Sequence, residues 1–163
     1  MKDGHSKSER KIVLLGGWQQ HVDLPRLSDR MESEVSAMEE LDTGSGYLSV
    51  APLISNSERL FFVSYGGWAA KALWVSRFPE ISAVILLNPV YSMEMHSMFH
   101  MAETRVIIFY STSMEMVRRD SQKIHDYTPN SEMIKVSCDD PGVRNLSCEN
   151  VMSAIKRKID ELT

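Results

Sequence analysis

The sequence predicts an α/β fold, a three-layer αβα sandwich with a mainly parallel sheet of five to six strands. Two observations predict this class. Short apolar runs rich in β-branched and aromatic residues do not alternate with polar residues, which is typical of strands buried on both faces. Segments with helical periodicity separate these runs, so strands and helices alternate along the chain.

The strands and helices are predicted in a regular order. Four apolar runs predict strands, and a weaker fifth run follows them, at residues 12–15, 60–63, 83–87, 106–110 and 133–138. Helices are predicted at residues 24–31, 68–78 and 114–127, and in a C-terminal segment that carries Val151, Ile155, Ile159 and Leu162 on one face. An edge strand is predicted at residues 35–41, and a short helix or loop at residues 47–54.

The bulk composition predicts one globular domain. The 163 residues fit a domain at residues 11–163 behind a flexible N-terminus at residues 1–10. A net charge of −4 and the lack of a basic run argue against a nucleic-acid partner and against a polybasic membrane patch. We expect a cytoplasmic protein, because no apolar stretch has the length of a membrane span and the N-terminus lacks an apolar signal core.

The cysteines, methionines and histidines predict no cofactor and no metal site. Cys138 and Cys148 are interpreted as free thiols, since their spacing matches no zinc motif. The eleven methionines are scattered and are interpreted as core filling. His96 and His100 as a metal-ligand pair lack an acidic or thiol partner.

One segment carries a more specific motif. A predicted strand runs into Ser64, two glycines follow at Gly66 and Gly67, and a buried helix comes next. This order resembles the nucleophile elbow of the α/β-hydrolases, Gly-x-Ser-x-Gly, in which small residues surround a serine on a tight turn. The resemblance implies that Ser64 is an exposed catalytic nucleophile and that the backbone N–H of Tyr65 faces the oxyanion.

The resemblance extends over roughly residues 11–162. Residues 14–18, Leu-Leu-Gly-Gly-Trp, resemble the oxyanion loop, with Gly16 in place of the usual histidine. Gly17 and Trp18 would complete the oxyanion hole, with the Trp18 N–H as second donor. The short chain resembles the minimal serine hydrolases of the retinoblastoma-binding-protein-nine and YdeN type, without a lid or an N-terminal hairpin. A small acyl substrate or ligand is implied.

The motif departs from the family pattern in three places. Phe62 stands where the first glycine of the elbow belongs. No aspartate follows the strand at residues 106–110, and Glu115 is the nearest carboxylate. No histidine follows His125, so a Ser–His–Asp triad cannot be assembled in the usual order.

Other bases remain open for Ser64, which needs one to act as a nucleophile near neutral pH. His96 and His100 follow the strand at residues 83–87 and are the catalytic candidates, while His21 lies in the oxyanion loop. Asp139 and Asp140 occupy the loop where the base normally lies.

Two function hypotheses follow from the motif and its departures. One is a serine hydrolase that acts on a small acyl ester through Ser64. The other is a catalytically inactive hydrolase-fold protein that binds a ligand or a partner. A sheet edge short of cover also makes a homodimer possible. A flavodoxin-like or nucleotide-binding domain fits less well, because no glycine loop has the phosphate-binding spacing.

Overall fold

A computed structural model of the protein describes residues 10–16, 18, 22–41, 46–55, 59–111, 114–138 and 148–163, with the side chains of residues 46–49 and 55 left aside. Among these residues the apolar runs form one sheet of six strands, in the order β2-β1-β3-β4-β5-β6. The strands are β1 Arg10–Leu15, β2 Glu34–Met38, β3 Arg59–Tyr65, β4 Ala83–Leu87, β5 Arg105–Ser111 and β6 Ser131–Val136. Every neighbouring pair is parallel, which confirms the predicted fold class.

Helices connect the strands. They are α1 Leu24–Met31, α2 Gly46–Ser55, α3 Ala69–Val75, α4 Glu115–Tyr127 and α5 Glu149–Glu161. In the described part of the chain, short 3₁₀ segments accompany them at Gly66–Trp68, Met93–Ser97 and Phe99–Met101. The predicted helix at 68–78 is therefore a 3₁₀ turn followed by a shorter α-helix. No helix in the described part of the chain is long and apolar enough to span a bilayer.

The core lies in two layers, one on each face of the sheet. Because successive strand residues point to opposite faces, β3 sends Leu60 and Phe62 into one layer and Phe61 and Val63 into the other. Helices α2, α3 and α4 contribute to the first layer, and α1 and α5 to the second. All five β4 side chains are buried, as the absence of alternation predicts.

The strand order locates the candidate site. The chain passes from β1 outward to the edge strand β2, and then returns to the other side of β1 to form β3. The order therefore reverses between β1 and β3, and sheets of this type bind ligands beyond the carboxyl ends of the strands at such a reversal. The ends of β1 and β3 are the two segments in which the sequence predicts the oxyanion loop and the elbow.

Candidate functional site

Ser64 lies inside β3 and not on the turn that follows it. It pairs with Leu15 of β1 and with Leu86 of β4, and its exposed fraction is 0%. Its side chain points to the same face of the sheet as Phe62, toward the layer that contains α3. The hydroxyl is buried and has no hydrogen-bond partner among the described residues. The exposed hydroxyl expected from the motif is not observed.

Gly66 is the residue on the turn between β3 and α3. Tyr65 still has extended backbone, with φ −137° and ψ 140°, because it pairs with Leu87 of β4. Gly66 then takes φ +57°, in the left-handed region that glycine enters without steric cost. The chain passes directly into the 3₁₀ turn Gly66–Trp68, so the strained strand-to-helix turn belongs to Gly66.

This placement shifts the elbow motif by two residues. In an α/β-hydrolase elbow the nucleophile occupies the strained turn, and a small residue precedes it by two positions. With Gly66 on the turn, Ser64 is that small preceding residue, and Phe62 no longer occupies a position that requires a small side chain. The residue after the turn, which supplies an oxyanion N–H in the motif, is then Gly67 instead of Tyr65.

The turn leaves open space where a nucleophile would stand. A Cβ atom added at Gly66 or at Gly67 would meet no atom of the described residues within 4 Å, its own neighbours along the chain aside. Gly67 is exposed, and Tyr65 and Trp68 beside it are half-buried. The position has the room for a reactive side chain, and the sequence places none there.

Gly16 and Trp18, which follow β1, are packed close to this turn. Gly16 has φ +116°, and an added Cβ would lie 3.1 Å from the Trp68 indole. The Trp18 backbone N–H donates to the Gly16 carbonyl at 2.9 Å, so this donor is already used. The Trp18 side chain is 2% exposed and donates its indole N–H to the Leu15 carbonyl at 2.6 Å. Its ring contacts Tyr65 edge-on, with the centroids 6.2 Å apart.

Several predicted site residues lie outside the described residues. These are Gly17 of the oxyanion loop, His21 as a possible base, and the loop carboxylates Asp139 and Asp140. Their roles stay predictions.

His96 and His100 follow β4 in the two 3₁₀ segments of the connection to β5, and both are exposed. The His96 ring packs edge-on against Tyr91, Phe99 and Tyr127, with centroid distances of 5.5, 5.3 and 5.1 Å. Its Nε2 shares a hydrogen bond with the Tyr91 hydroxyl. No described histidine is hydrogen-bonded to Ser64.

Glu115, the nearest candidate for a triad acid, binds Arg118 on the exposed face of α4. The two side chains form two hydrogen bonds of 2.6 and 3.1 Å. This contact lowers the pKa of Glu115 and raises that of Arg118. Glu115 is thus an ion-pair residue at the start of a helix.

Asn88 is a residue of this edge to which the motif assigned no role. It follows β4 with φ +42° and is 6% exposed. Its backbone N–H donates to the Phe109 carbonyl at 2.9 Å, and its side-chain Oδ1 accepts from the Ser111 N–H at 2.8 Å. Two residues further along the chain, the Val90 N–H donates to the Gly66 carbonyl at 3.0 Å, and this hydrogen bond holds the turn between β3 and α3. The sequence does contain a signal for this residue, an asparagine followed by proline at the end of a strand, because asparagine tolerates the left-handed backbone region.

Comparison with known proteins identifies the fold. No protein-family model and no curated protein sequence matches the chain. An α/β hydrolase from Sphaerobacter thermophilus is similar with a TM-score of 0.66 and 9% identity, over 92% of this chain and 92% of its own. The esterase domain of a Rhodothermus marinus protein gives a TM-score of 0.61 and 11% identity, over 94% and 89%. Mouse α/β hydrolase domain-containing protein 10 gives 0.60 and 10% identity, over 93% and 88%.

These identities are low enough that the similarity concerns the fold and not the activity. The connection between β4 and β5 contains two short 3₁₀ segments and no lid domain. The predicted resemblance is confirmed at the level of the fold: the chain has the α/β-hydrolase fold.

Proposed function

We propose that this protein is a catalytically inactive α/β-hydrolase-fold protein that binds a ligand or a partner at the carboxyl edge of its sheet. The single observation that carries the proposal is Gly66. The strained turn on which the fold presents a nucleophile bears a residue without a side chain. A nucleophilic mechanism requires a side-chain atom at that position, and Gly66 cannot provide one.

The surroundings of Ser64 support the same proposal. A serine becomes a useful nucleophile when a base takes its proton, and the base must be within hydrogen-bond reach. The Ser64 hydroxyl is fully buried and reaches no base among the described residues. Hydrolysis of a small acyl ester through Ser64, the other hypothesis, would require β3 to leave its ladder with β1 and β4.

The open space at the turn supports a binding role. Gly66 and Gly67 leave open space on a turn that the half-buried residues Tyr65 and Trp68 flank in sequence, at the point where the strand order reverses. Pockets in proteins commonly combine aromatic walls with backbone groups that fix the ligand. We infer that a small acyl compound is the class of ligand to test first.

The test of inactivity is labelling with a fluorophosphonate probe, which reacts with activated serines. We expect no labelling of the folded wild-type protein and none of the Ser64→Ala variant, with a known serine hydrolase as positive control. Labelling that the wild type shows and Ser64→Ala loses would establish Ser64 as an activated nucleophile and would overturn the proposal.

The binding role is tested separately by thermal-shift screening of short acyl esters, acyl amides and fatty acids. A ligand that binds at the turn is expected to raise the melting temperature of the wild type and not that of Gly67→Leu, which fills the open space. Gly67→Ala serves as the matched control, because a single methyl group meets no atom within 4 Å. Equal shifts in all three proteins would place the ligand elsewhere.

A further inference from the structure

The connection between β4 and β5 concentrates sulfur and imidazole groups that the proposed function does not use. Residues 93–101 read Met-Glu-Met-His-Ser-Met-Phe-His-Met, four methionines and two histidines in nine positions. Core filling explains only part of this composition. Met95 is fully buried and Met98 packs against the core, but Met93 is 77% exposed.

The backbone brings Met93 and His96 together. They are separated by three positions within the 3₁₀ segment Met93–Ser97, and residues at this spacing eclipse one another in a 3₁₀ helix. Both side chains meet the same atom, the Tyr91 hydroxyl oxygen. The Met93 sulfur lies 3.7 Å from it, and His96 Nε2 is within hydrogen-bond reach of it. A thioether and an imidazole nitrogen thus converge on the hydroxyl of the half-buried Tyr91.

We propose that Met93 Sδ and His96 Nε2 form a binding site for Cu(I). Thioether sulfur is a soft ligand that selects Cu(I) over harder cations, and imidazole is a good ligand for copper. Cu(I) accepts low coordination numbers, so two converging ligands are enough to bind it. On binding, the metal takes a lone pair from the Met93 sulfur and one from Nε2, with the imidazole proton on Nδ1, and the Tyr91 hydroxyl gives up its contacts with both ligand atoms.

The imidazole is already held in position for this role. Phe99 and Tyr127 stack on each other with centroids 5.2 Å apart, and both contact the His96 ring edge-on. A ligand whose orientation is fixed before binding loses less conformational entropy when the metal arrives.

The charges around the site are mixed. Asp120 of α4 accepts a hydrogen bond from the Tyr91 backbone N–H at 3.2 Å, and Glu94 is exposed on the same 3₁₀ segment. The Lys123 ammonium lies over the Tyr91 ring, 4.1 Å from its centroid.

Among the described residues no three His, Cys, Asp or Glu side chains form a group that would hold a harder metal ion. We therefore expect Cu(I) to bind more tightly than Zn²⁺.

The experiment is an anaerobic titration with Cu(I), kept reduced by ascorbate and competed against the chromogenic chelator bicinchoninate. Thiols are also ligands for Cu(I), so the titration is made in a Cys138→Ser/Cys148→Ser background. Alkylation of the two thiols in the unaltered chain repeats the measurement without substitutions. We expect one Cu(I) per chain, and a loss of roughly tenfold or more in affinity with Met93→Leu or with His96→Gln.

Matched controls distinguish the site from general methionine and histidine binding. Met116→Leu removes a methionine that is 69% exposed on α4, and His100→Gln removes the other histidine of the segment. Both controls are expected to bind Cu(I) as the parent does. Failure of the thiol-blocked protein to compete with the chelator, or equal losses in Met93→Leu and Met116→Leu, would overturn the proposal.

A pH series gives a second readout. A histidine ligand must be neutral to bind, so the Cu(I) affinity of a site that contains an imidazole ligand is expected to fall on acidification. His96→Met replaces the imidazole by a second thioether, which has no proton to exchange, and is expected to bind with little pH dependence. The same pH dependence in both proteins would show that His96 is not a ligand.

Discussion

Two regions of the same sheet edge contrast in what they present to solvent. The turn between β3 and α3, where the fold places its nucleophile, bears Gly66, and the neighbouring Ser64 is fully buried. The connection between β4 and β5 exposes Met93 and His96 on a short 3₁₀ segment. The fold therefore fixes where a site can be built, while individual side chains decide whether chemistry occurs there.

The two regions are also held differently. Close backbone packing fixes the turn, because the Trp68 ring lies against Gly16 and the Gly66 carbonyl accepts from Val90. Side-chain contacts hold the connection, through the aromatic rings around His96. Substitutions that disturb the backbone packing around Gly16 and Gly66 should therefore change stability, and substitutions of the exposed Met93 and His96 side chains should change Cu(I) binding.

The largest expected effect on stability is at Gly16. Gly16→Ala places a methyl group 3.1 Å from the Trp68 ring in a backbone conformation with φ +116°. We expect a loss of about 3 kcal/mol in the free energy of unfolding, from combined backbone strain and overpacking. Chemical denaturation measures it. Gly67→Ala is the matched control, expected within about 0.5 kcal/mol of the wild type; a similar loss in both would contradict the close packing at Gly16.

Asn88 should show the next largest effect, because it links the ends of β4 and β5. Asn88→Ala removes the acceptor of the Ser111 N–H and leaves a non-glycine residue at φ +42°. We expect a loss of about 2 kcal/mol in urea denaturation. Asn88→Gly removes the same acceptor without the backbone strain and should lose less. No loss in either variant would show that this hydrogen bond does not stabilise the edge.

Ser64→Ala tests whether the buried Ser64 hydroxyl contributes to stability. The hydroxyl is buried and makes no hydrogen bond to the described residues, so its removal should leave the unfolding free energy within about 1 kcal/mol of the wild type, or raise it. Thermal and urea denaturation both report this. A loss well above that range would mean that the hydroxyl has a partner in the folded protein.

The smallest effect on stability is expected at the edge of the sheet where the strands begin. This edge carries ion pairs, and it serves as the reference against which both regions are compared. Burial raises the pKa of Asp160, but the hydrogen bonds and charges of Lys156 and Arg10 outweigh it and lower this pKa below 3.8. A lowered carboxylate pKa contributes stability that is present above the unfolded-state value and lost as the pH falls through the folded-state value.

Asp160→Asn should therefore reduce stability at pH 7 by at most about 0.5 kcal/mol, since the side chain is partly exposed and solvent screens the pairs. The difference between the variant and the wild type should shrink on acidification, as the pH falls through the lowered pKa of Asp160. Urea denaturation across this pH range measures it, and a difference that grows on acidification would contradict the sign of the effect.

The fold was predictable from the sequence because its signals are redundant. The apolar run at residues 83–87 is β4 with the predicted bounds, and the periodic segment at 24–31 is α1. Strand ends were less certain. Arg10, which we expected in the flexible N-terminus, begins β1 because it pairs with Arg59. The weak run at 133–138 forms β6 two residues earlier, at Ser131–Val136.

The sequence was enough to predict the sheet edge at which the site lies, but not which residue occupies the turn. The motif located the edge between β1 and β3, yet a serine near two glycines does not reveal which residue leaves the strand. That depends on how far β3 stays paired, and Tyr65 pairs with Leu87. Only Gly66 then accepts the left-handed turn. The clustering of Met93 and His96 depends in turn on a 3₁₀ segment, which hydrophobic periodicity does not reveal.

Thiol accessibility distinguishes a buried residue 64 from one that lies on the turn. In a Cys138→Ser/Cys148→Ser background, Ser64→Cys and Gly67→Cys place single thiols at the two positions, and a small disulfide reagent reports their rates of reaction. Ser64 is 0% exposed and Gly67 is exposed. We expect the folded Gly67→Cys protein to react roughly a hundredfold faster or more, because a buried thiol reacts only through local opening. Equal rates, or a faster reaction in Ser64→Cys, would put residue 64 on the exposed turn and contradict the account.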